Sequence, residues 1–251
     1  MRFEQHGDEP EVAAAAARIL AETVAQRRDA RMVLPAGRTP LPLFVEFVRR
    51  AREGDLDLSQ VRFIQLDEYV GVSPRDSRSF HALLRRHLLD PLRRDRDQDL
   101  LLDGAALDPQ VEIERHATRL AQQGGADLVV LGLGGNGHVA FNEPGSTLEQ
   151  RARVVDLARE TRLAAQAEFG VGDGPTRGIT LGLHEIAAAR RIVLLVTGAA
   201  KAAILAALFD EPADPQRPAS LLLDHPDFRI LADVAAAERL RAPGAPAPSR
   251  S

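Results

Sequence analysis

Cysteine is absent from the 251 residues, which excludes disulfides, thiolate zinc sites and cysteine nucleophiles. Lysine is nearly absent as well: arginine fills the other basic positions and Lys201 stands alone. Tyrosine occurs only at Tyr69, and asparagine only at Asn136 and Asn142. No apolar run is long enough to span a bilayer, and Glu4, Asp8 and Glu9 stand where a secretory signal would be basic and then apolar. These absences lead us to expect a soluble, cytoplasmic protein without a membrane partner. An excess of one charge is also missing. The 32 basic and 36 acidic residues leave −4, and the two signs are interleaved, so no nucleic-acid footprint is expected. The expected partner is a small molecule.

A chain of this length with 45% hydrophobic residues can bury a substantial core, and we expect one domain over 1–241. Residues 242–251 are rich in Pro, Ala and Ser and are expected to form a disordered tail. Apolar spacing predicts helices over 11–27, 41–52, 79–92, 111–123, 157–169 and 199–208, and strands over 32–34, 61–66, 127–133, 191–196 and 228–231. Strands alternating with helices, some continuously apolar as in Leu128-Val129-Val130-Leu131, predict an α/β fold. Its sheet is doubly wound and mostly parallel, with helices on both faces. Ligands of such folds bind beyond the carboxyl ends of the strands.

Four strand-to-loop junctions carry unusual residues: 35–40 (Pro-Ala-Gly-Arg-Thr-Pro), 66–71 (Leu-Asp-Glu-Tyr-Val-Gly), 134–144 (Gly-Gly-Asn-Gly-His-Val-Ala-Phe-Asn-Glu-Pro) and 196–201 (Val-Thr-Gly-Ala-Ala-Lys). The fold should bring all four to one crevice. Gly132, Gly134 and Gly137 spell the G-x-G-x-x-G of dinucleotide sites, but Asn142, Pro144 and Gly145 interrupt the helix that pyrophosphate would need behind them. The glycines instead let the backbone turn tightly and present His138 and Glu143, a plausible general acid/base pair. A histidine held in a structural turn is the bland alternative.

Asp67 and Glu68 end an apolar strand and must point to opposite faces, and we assign Asp67 to the crevice. A carboxylate there suits proton movement between adjacent carbons once burial raises its pKa, whereas a turn-forming Asp is the alternative. Lys201 falls in the first turn of a predicted helix, an unfavourable place for a cation unless an anion binds there too. Phosphate fits, and Gly37, Arg38 and Thr39 at another junction would complete its cradle. A solvated surface lysine is the alternative.

Together these residues resemble the glucosamine-6-phosphate deaminase family, within the wider group that includes the 6-phosphogluconolactonases. The resemblance runs over 32–233 and rests on Asp67-Glu68-Tyr69-Val70-Gly71 and on Gly137-His138 followed by Phe141-Asn142-Glu143-Pro144. It implies a modified Rossmann-like fold and conversion of glucosamine 6-phosphate to fructose 6-phosphate and ammonia. It further implies that His138, supported by Glu143 and bonded by Asn136, opens the sugar ring, and that Asp67 carries the proton from C2 to C1. Lys201 with Gly37, Arg38 and Thr39 would hold the phosphate, and no metal or organic cofactor is expected. Family members include monomers and hexamers, so a homo-oligomer stays open. Two positions depart from the pattern. Asn136 stands where some members have Asp. Ala167 stands where the family usually has a phosphate-binding Arg, and we expect Arg38 to supply that guanidinium from across the crevice. Competing readings are a galactosamine-6-phosphate deaminase/isomerase, a 6-phosphogluconolactonase and, with less support, a non-catalytic sugar-phosphate sensor.

Overall fold

Strands β5 (Leu128–Gly132) and β8 (Ile192–Val196) are apolar at consecutive positions because both faces of their sheet are covered. A computed structural model describes residues 1–54, 56–95, 97–170 and 174–240 of the chain. In it these strands join β1 (Arg2–His6), β2 (Arg31–Leu34), β3 (Arg62–Gln65) and β9 (Phe228–Asp233) in a sheet of order β1-β9-β8-β5-β2-β3, parallel at every pairing. Met32, Leu34, Leu128 and Val130 face α1 (Glu9–Gln26) and α2 (Leu41–Glu53), where they meet Leu20, Phe44 and Phe47. Val33, Val129 and Leu131 face the other way, into a core shared with α4 (Pro109–Gln122), α6 (Leu183–Ala187) and α7 (Ala202–Asp210). The doubly wound α/β reading holds.

A second, antiparallel sheet of order β4-β7-β6 is built from β4 (Asp67–Tyr69), β6 (Arg153–Asp156) and β7 (Arg177–Thr180). Leu66 passes the chain from one sheet to the other. Its amide donates to Leu34 O at 3.1 Å, while its carbonyl accepts from Leu181 N at 3.0 Å. Asp67 and Glu68 therefore lie in an antiparallel strand rather than at the end of a parallel one, which corrects the expectation.

Other boundaries shift for local reasons. The helix expected over 79–92 divides into α3 (Phe80–Leu84), capped by Ser79 Oγ, and a π-helical turn over Arg85–Leu89. Pro91 has no N–H to donate and disfavours helix at the residue before it, so the coil loosens and ends there. The helix expected over 157–169 begins only at α5 (Arg159–Phe169), because Leu157 N–H is taken by Thr176 O at 2.9 Å. The segment expected over 199–208 opens with a 3-10 turn, Ala199–Lys201, before α7. Strands β1, β6 and β7 and the short helices α6 and α8 (Val234–Ala237) had no counterpart among the expected elements. The expected tail, 242–251, lies outside the described residues.

At the amino ends of the parallel strands, Asp127 ties β2 to β5. Its carboxylate, 3% exposed, accepts from Arg31 N and Nε at 2.9 Å, and Arg27 and Arg190 stand at 3.3 and 3.2 Å. Removing one partner of a buried charge pair leaves the other uncompensated, at a cost of roughly 3–5 kcal/mol. Asp127→Ala should therefore unfold in urea with a free energy lower by about that amount, while catalysis per folded molecule is unchanged, since the pair lies at the opposite end of the sheet from the site.

Candidate active site

The loop after β5 turns on two backbone features. Gly137 has φ +86°, and Gly134 has no room for a side chain: a Cβ there would stand 2.4 Å from His138 Nδ1. Packed on that glycine, the imidazole presents Nδ1 to Glu143 Oε2 at 3.3 Å. Nδ1 is buried and has no aligned hydrogen-bond acceptor, so the contact is one of charge and proximity. Asn136 braces both partners, its Oδ1 accepting from His138 N at 3.1 Å and its Nδ2 donating to Glu143 Oε2 at 3.2 Å. Glu143 Oε1 accepts from Thr161 Oγ1 at 2.6 Å and from Ala158 N at 3.2 Å. Burial pushes the Glu143 carboxyl up, but His138, the Thr161 hydroxyl and the Ala158 amide outweigh it and hold the pKa at about 2. The carboxylate stays ionised beside the imidazole throughout the neutral range.

Asp67 and Glu68 diverge as adjacent strand residues must. Glu68 turns inward, and its carboxylate accepts from Tyr69 N at 2.9 Å, Phe80 N at 3.1 Å, His81 N at 2.8 Å and Gln65 Nε2 at 3.0 Å. Burial lifts its pKa to about 7 even against these donors. Asp67 is only 5% exposed, and no described residue donates a hydrogen bond to its carboxylate. Burial first, and the neighbouring Glu68 charge second, push Asp67 well above the usual carboxylate range.

Three contacts link the four junctions. Tyr69 packs its ring 5.2 Å from Phe141, 4.6 Å from Phe80 and 5.6 Å from Phe169, and Ala36 lies against the same cluster. Phe141 N donates to Thr180 Oγ1 at 3.3 Å, and Thr180 is the cross-strand partner of Asp67. A Cβ on Gly137 would come within 3.3 Å of Ile204 in the first turn of α7, which places the His138 loop beside the turn that carries Lys201.

The cation-bearing segments are looser. Gly37 has φ +108°, Thr39 is half-buried, and Arg38 is 80% exposed with its Nε 3.8 Å from Glu168 on α5. Glu168 follows Ala167, the position expected to lack a guanidinium, in the chain. Lys201 is half-buried where the 3-10 turn enters α7, and burial lowers its pKa. The Gly198 amide is not free for a ligand, since it donates to Asp233 at 2.9 Å. Sequence reasoning assigned no role to Thr161 or to the Ala158 amide. Both reach Glu143 across fifteen or more residues, and no periodicity encodes such a contact.

The fold and this cluster define a class of α/β proteins with a histidine–glutamate pair and a buried carboxylate in the loops and short strand beyond the parallel sheet. Solved structures share the architecture: the 6-phosphogluconolactonase of Trypanosoma brucei, 22% identical, superposes with a TM-score of 0.74 over 96% of this chain and 98% of that one. A monomeric glucosamine-6-phosphate deaminase, 30% identical, reaches 0.92 over 95% of this chain and 100% of that one. Glucosamine-6-phosphate deaminases of Bacillus velezensis and Streptomyces coelicolor are 39% and 40% identical over 228 and 236 residues, covering 90% and 91% of this chain and 95% and 90% of theirs. The chain belongs to the glucosamine-6-phosphate isomerase/6-phosphogluconolactonase family, whose model matches residues 8–230. Among the described residues no helix is long and apolar enough to cross a membrane.

Because the Glu143 pKa is about 2 in the folded chain against an ordinary 4.5, its contribution to stability is complete above pH 4.5 and is lost as pH falls from 4.5 to about 2. Glu143→Gln should flatten the acid limb of a Tm-against-pH curve across that window. A limb as steep as that of the unaltered protein would show that the carboxylate is not held in this way.

Proposed function

We propose that the chain is an aminohexose-6-phosphate deaminase/isomerase that converts glucosamine 6-phosphate and water to fructose 6-phosphate and ammonia. The observation that carries this reading is the Asp67 carboxylate, which is buried, raised in pKa and without a hydrogen-bond donor among the described residues, and so is free of a structural task there. Membership of the family and the deaminase names of relatives at 39% and 40% identity select the substrate.

On this reading His138 moves a proton between the ring oxygen and the C1 hydroxyl, which opens the pyranose to the aldehyde. Glu143, ionised at neutral pH, stabilises the imidazolium that forms when His138 takes up a proton. Asp67 then removes the C2 proton, leaving an enolamine, and returns it at C1. The resulting C2 imine is hydrolysed, so one water enters and one ammonia leaves; the hydrolytic step follows an aldose-to-ketose isomerisation. Burial of Asp67 suits both halves of the transfer, since a carboxyl with a raised pKa takes a proton from carbon more readily and keeps it long enough to deliver it. Neither half calls for a metal or an organic cofactor.

For the phosphate, Lys201 supplies a point charge where the 3-10 turn enters α7. Gly37, Arg38 and Thr39 complete the cradle, with Arg38 turning from Glu168 to the ligand in the place left by Ala167. A cytoplasmic location belongs to the same proposal, because a phosphorylated sugar does not cross a bilayer unaided.

A coupled assay of glucosamine 6-phosphate should show ammonia and fructose 6-phosphate forming together, and Asp67→Asn should lower kcat by about 10²–10⁴-fold, the usual worth of a general acid/base. A wild-type rate no higher than that of the variant would overturn the reading. Separately, Arg38→Ala should raise KM about tenfold with kcat little changed, as expected for loss of a charge-assisted bond of roughly 1.5 kcal/mol. An unchanged KM would remove Arg38 from the cradle.

A further inference from the structure

The Glu143 carboxylate is held by both of its oxygens, and the two sides come from different parts of the fold. Oε2 faces His138 Nδ1 and Asn136 Nδ2 within its own loop. Oε1 faces the start of α5, where the Thr161 hydroxyl donates at 2.6 Å and the Ala158 amide at 3.2 Å. Ala158 is the N-cap residue of α5, and a carboxylate from a distant loop accepts from its amide at the positive end of the helix. Thr161 is 6% exposed, and its hydroxyl makes the shortest of these bonds.

His138 Nδ1 has no aligned acceptor of its own, so its relation to Glu143 depends on what fixes the carboxylate plane. Rotation about the last side-chain torsion of Glu143 would carry Oε2 away from the imidazole, and such terminal torsions are broad and weakly held by themselves. The Oε1 donors prevent that rotation. The same helix touches the site at its far end, where Glu168 stands 3.8 Å from Arg38 and Phe169 packs 5.6 Å from Tyr69.

We propose that Thr161 is a positioning residue for the ring-opening step: its hydroxyl locks the Glu143 carboxylate so that Oε2 faces His138, and it ties that alignment to the placement of α5. The inference rests on the assignment of His138 and Glu143 as the acid/base pair. It adds a residue that does not touch the reacting atoms and acts only through Glu143.

The test compares Thr161→Val, Thr161→Ser and Glu143→Gln with the unaltered enzyme, reading kcat, KM, the pH profile of kcat and Tm. Thr161→Val, equal in shape but without the donor, should lose about tenfold in kcat with KM unchanged, in line with the cost of small misplacements at a reacting centre. It should also shift the acid limb of kcat to higher pH, because one of the groups holding Glu143 ionised is gone. Thr161→Ser keeps the hydroxyl and should restore both rate and profile. Thr161→Val within twofold of wild type with the same profile would overturn the proposal, as would Thr161→Ser failing as badly as Thr161→Val, since the loss would then belong to packing. If Glu143→Gln collapses while Thr161→Val does not, only the positioning role falls. If Glu143→Gln itself keeps full activity, the acid/base assignment falls and this inference with it.

Discussion

Holding the Asp67 carboxylate out of water beside a second buried carboxylate is the constraint around which this site is arranged. Two adjacent acids are costly to bury, and the chain meets the cost unequally. Glu68 receives three backbone amides and the Gln65 side chain, whereas Asp67 receives nothing from the described residues. The arrangement is possible because the chain leaves the parallel sheet at Leu66 and restarts in a three-residue antiparallel strand. The turn into α3 then brings the Phe80 and His81 amides back over Glu68. Gln65 closes the bend, donating to Asp67 O at 2.8 Å and accepting from Leu102 N at 3.0 Å. Structural satisfaction falls to one acid and not to the other, and the proposed mechanism uses the second.

The loop after β5 handles its own buried acid in the opposite way. Glu143 is driven down in pKa and Asp67 up, so one cluster holds a carboxylate that is ionised at neutral pH beside the imidazole and another with a raised proton affinity, the division of labour that the proposed mechanism uses. Shape contributes as much as charge. Gly134 is required because His138 lies flat against its α-carbon, and Gly137 because its backbone runs at positive φ against the segment carrying Arg217. Two of the three glycines in the G-x-G-x-x-G spelling thus answer to local packing and backbone conformation, with no helix amino terminus waiting behind them.

Much of this was legible in the sequence because it is written locally. Continuous apolar runs marked β5 and β8, and the polar, glycine-rich residues directly after strands marked the four junctions that the structure links. What escaped was either short, polar or distant. Strand β1 is an edge strand with Arg, Glu, Gln and His among its five residues, and β6 carries Arg and Asp at its ends, so neither shows an apolar period. The alternation rule separated Asp67 from Glu68 even though the strand belonged to a different sheet, since successive side chains diverge in any strand. The Thr161 contact with Glu143 spans eighteen residues and two changes of direction, and residue spacing carries no trace of it.

The cationic side of the site is the least preorganised, and its two candidate groups differ in kind. Lys201 is half-buried with its pKa lowered by desolvation, so its charge sits where water screens it poorly and a phosphate would gain most from it. Arg38 is 80% exposed and stands 3.8 Å from Glu168, so on the proposed reading a ligand would have to draw it in. Ordering that side chain costs conformational entropy at the moment of binding. A fixed guanidinium at position 167 would have avoided that cost. On the proposed reading, alanine at 167 with an exposed arginine opposite leaves the proton-transfer groups untouched and shifts the burden onto substrate capture, which would separate the residues that set affinity from those that set rate.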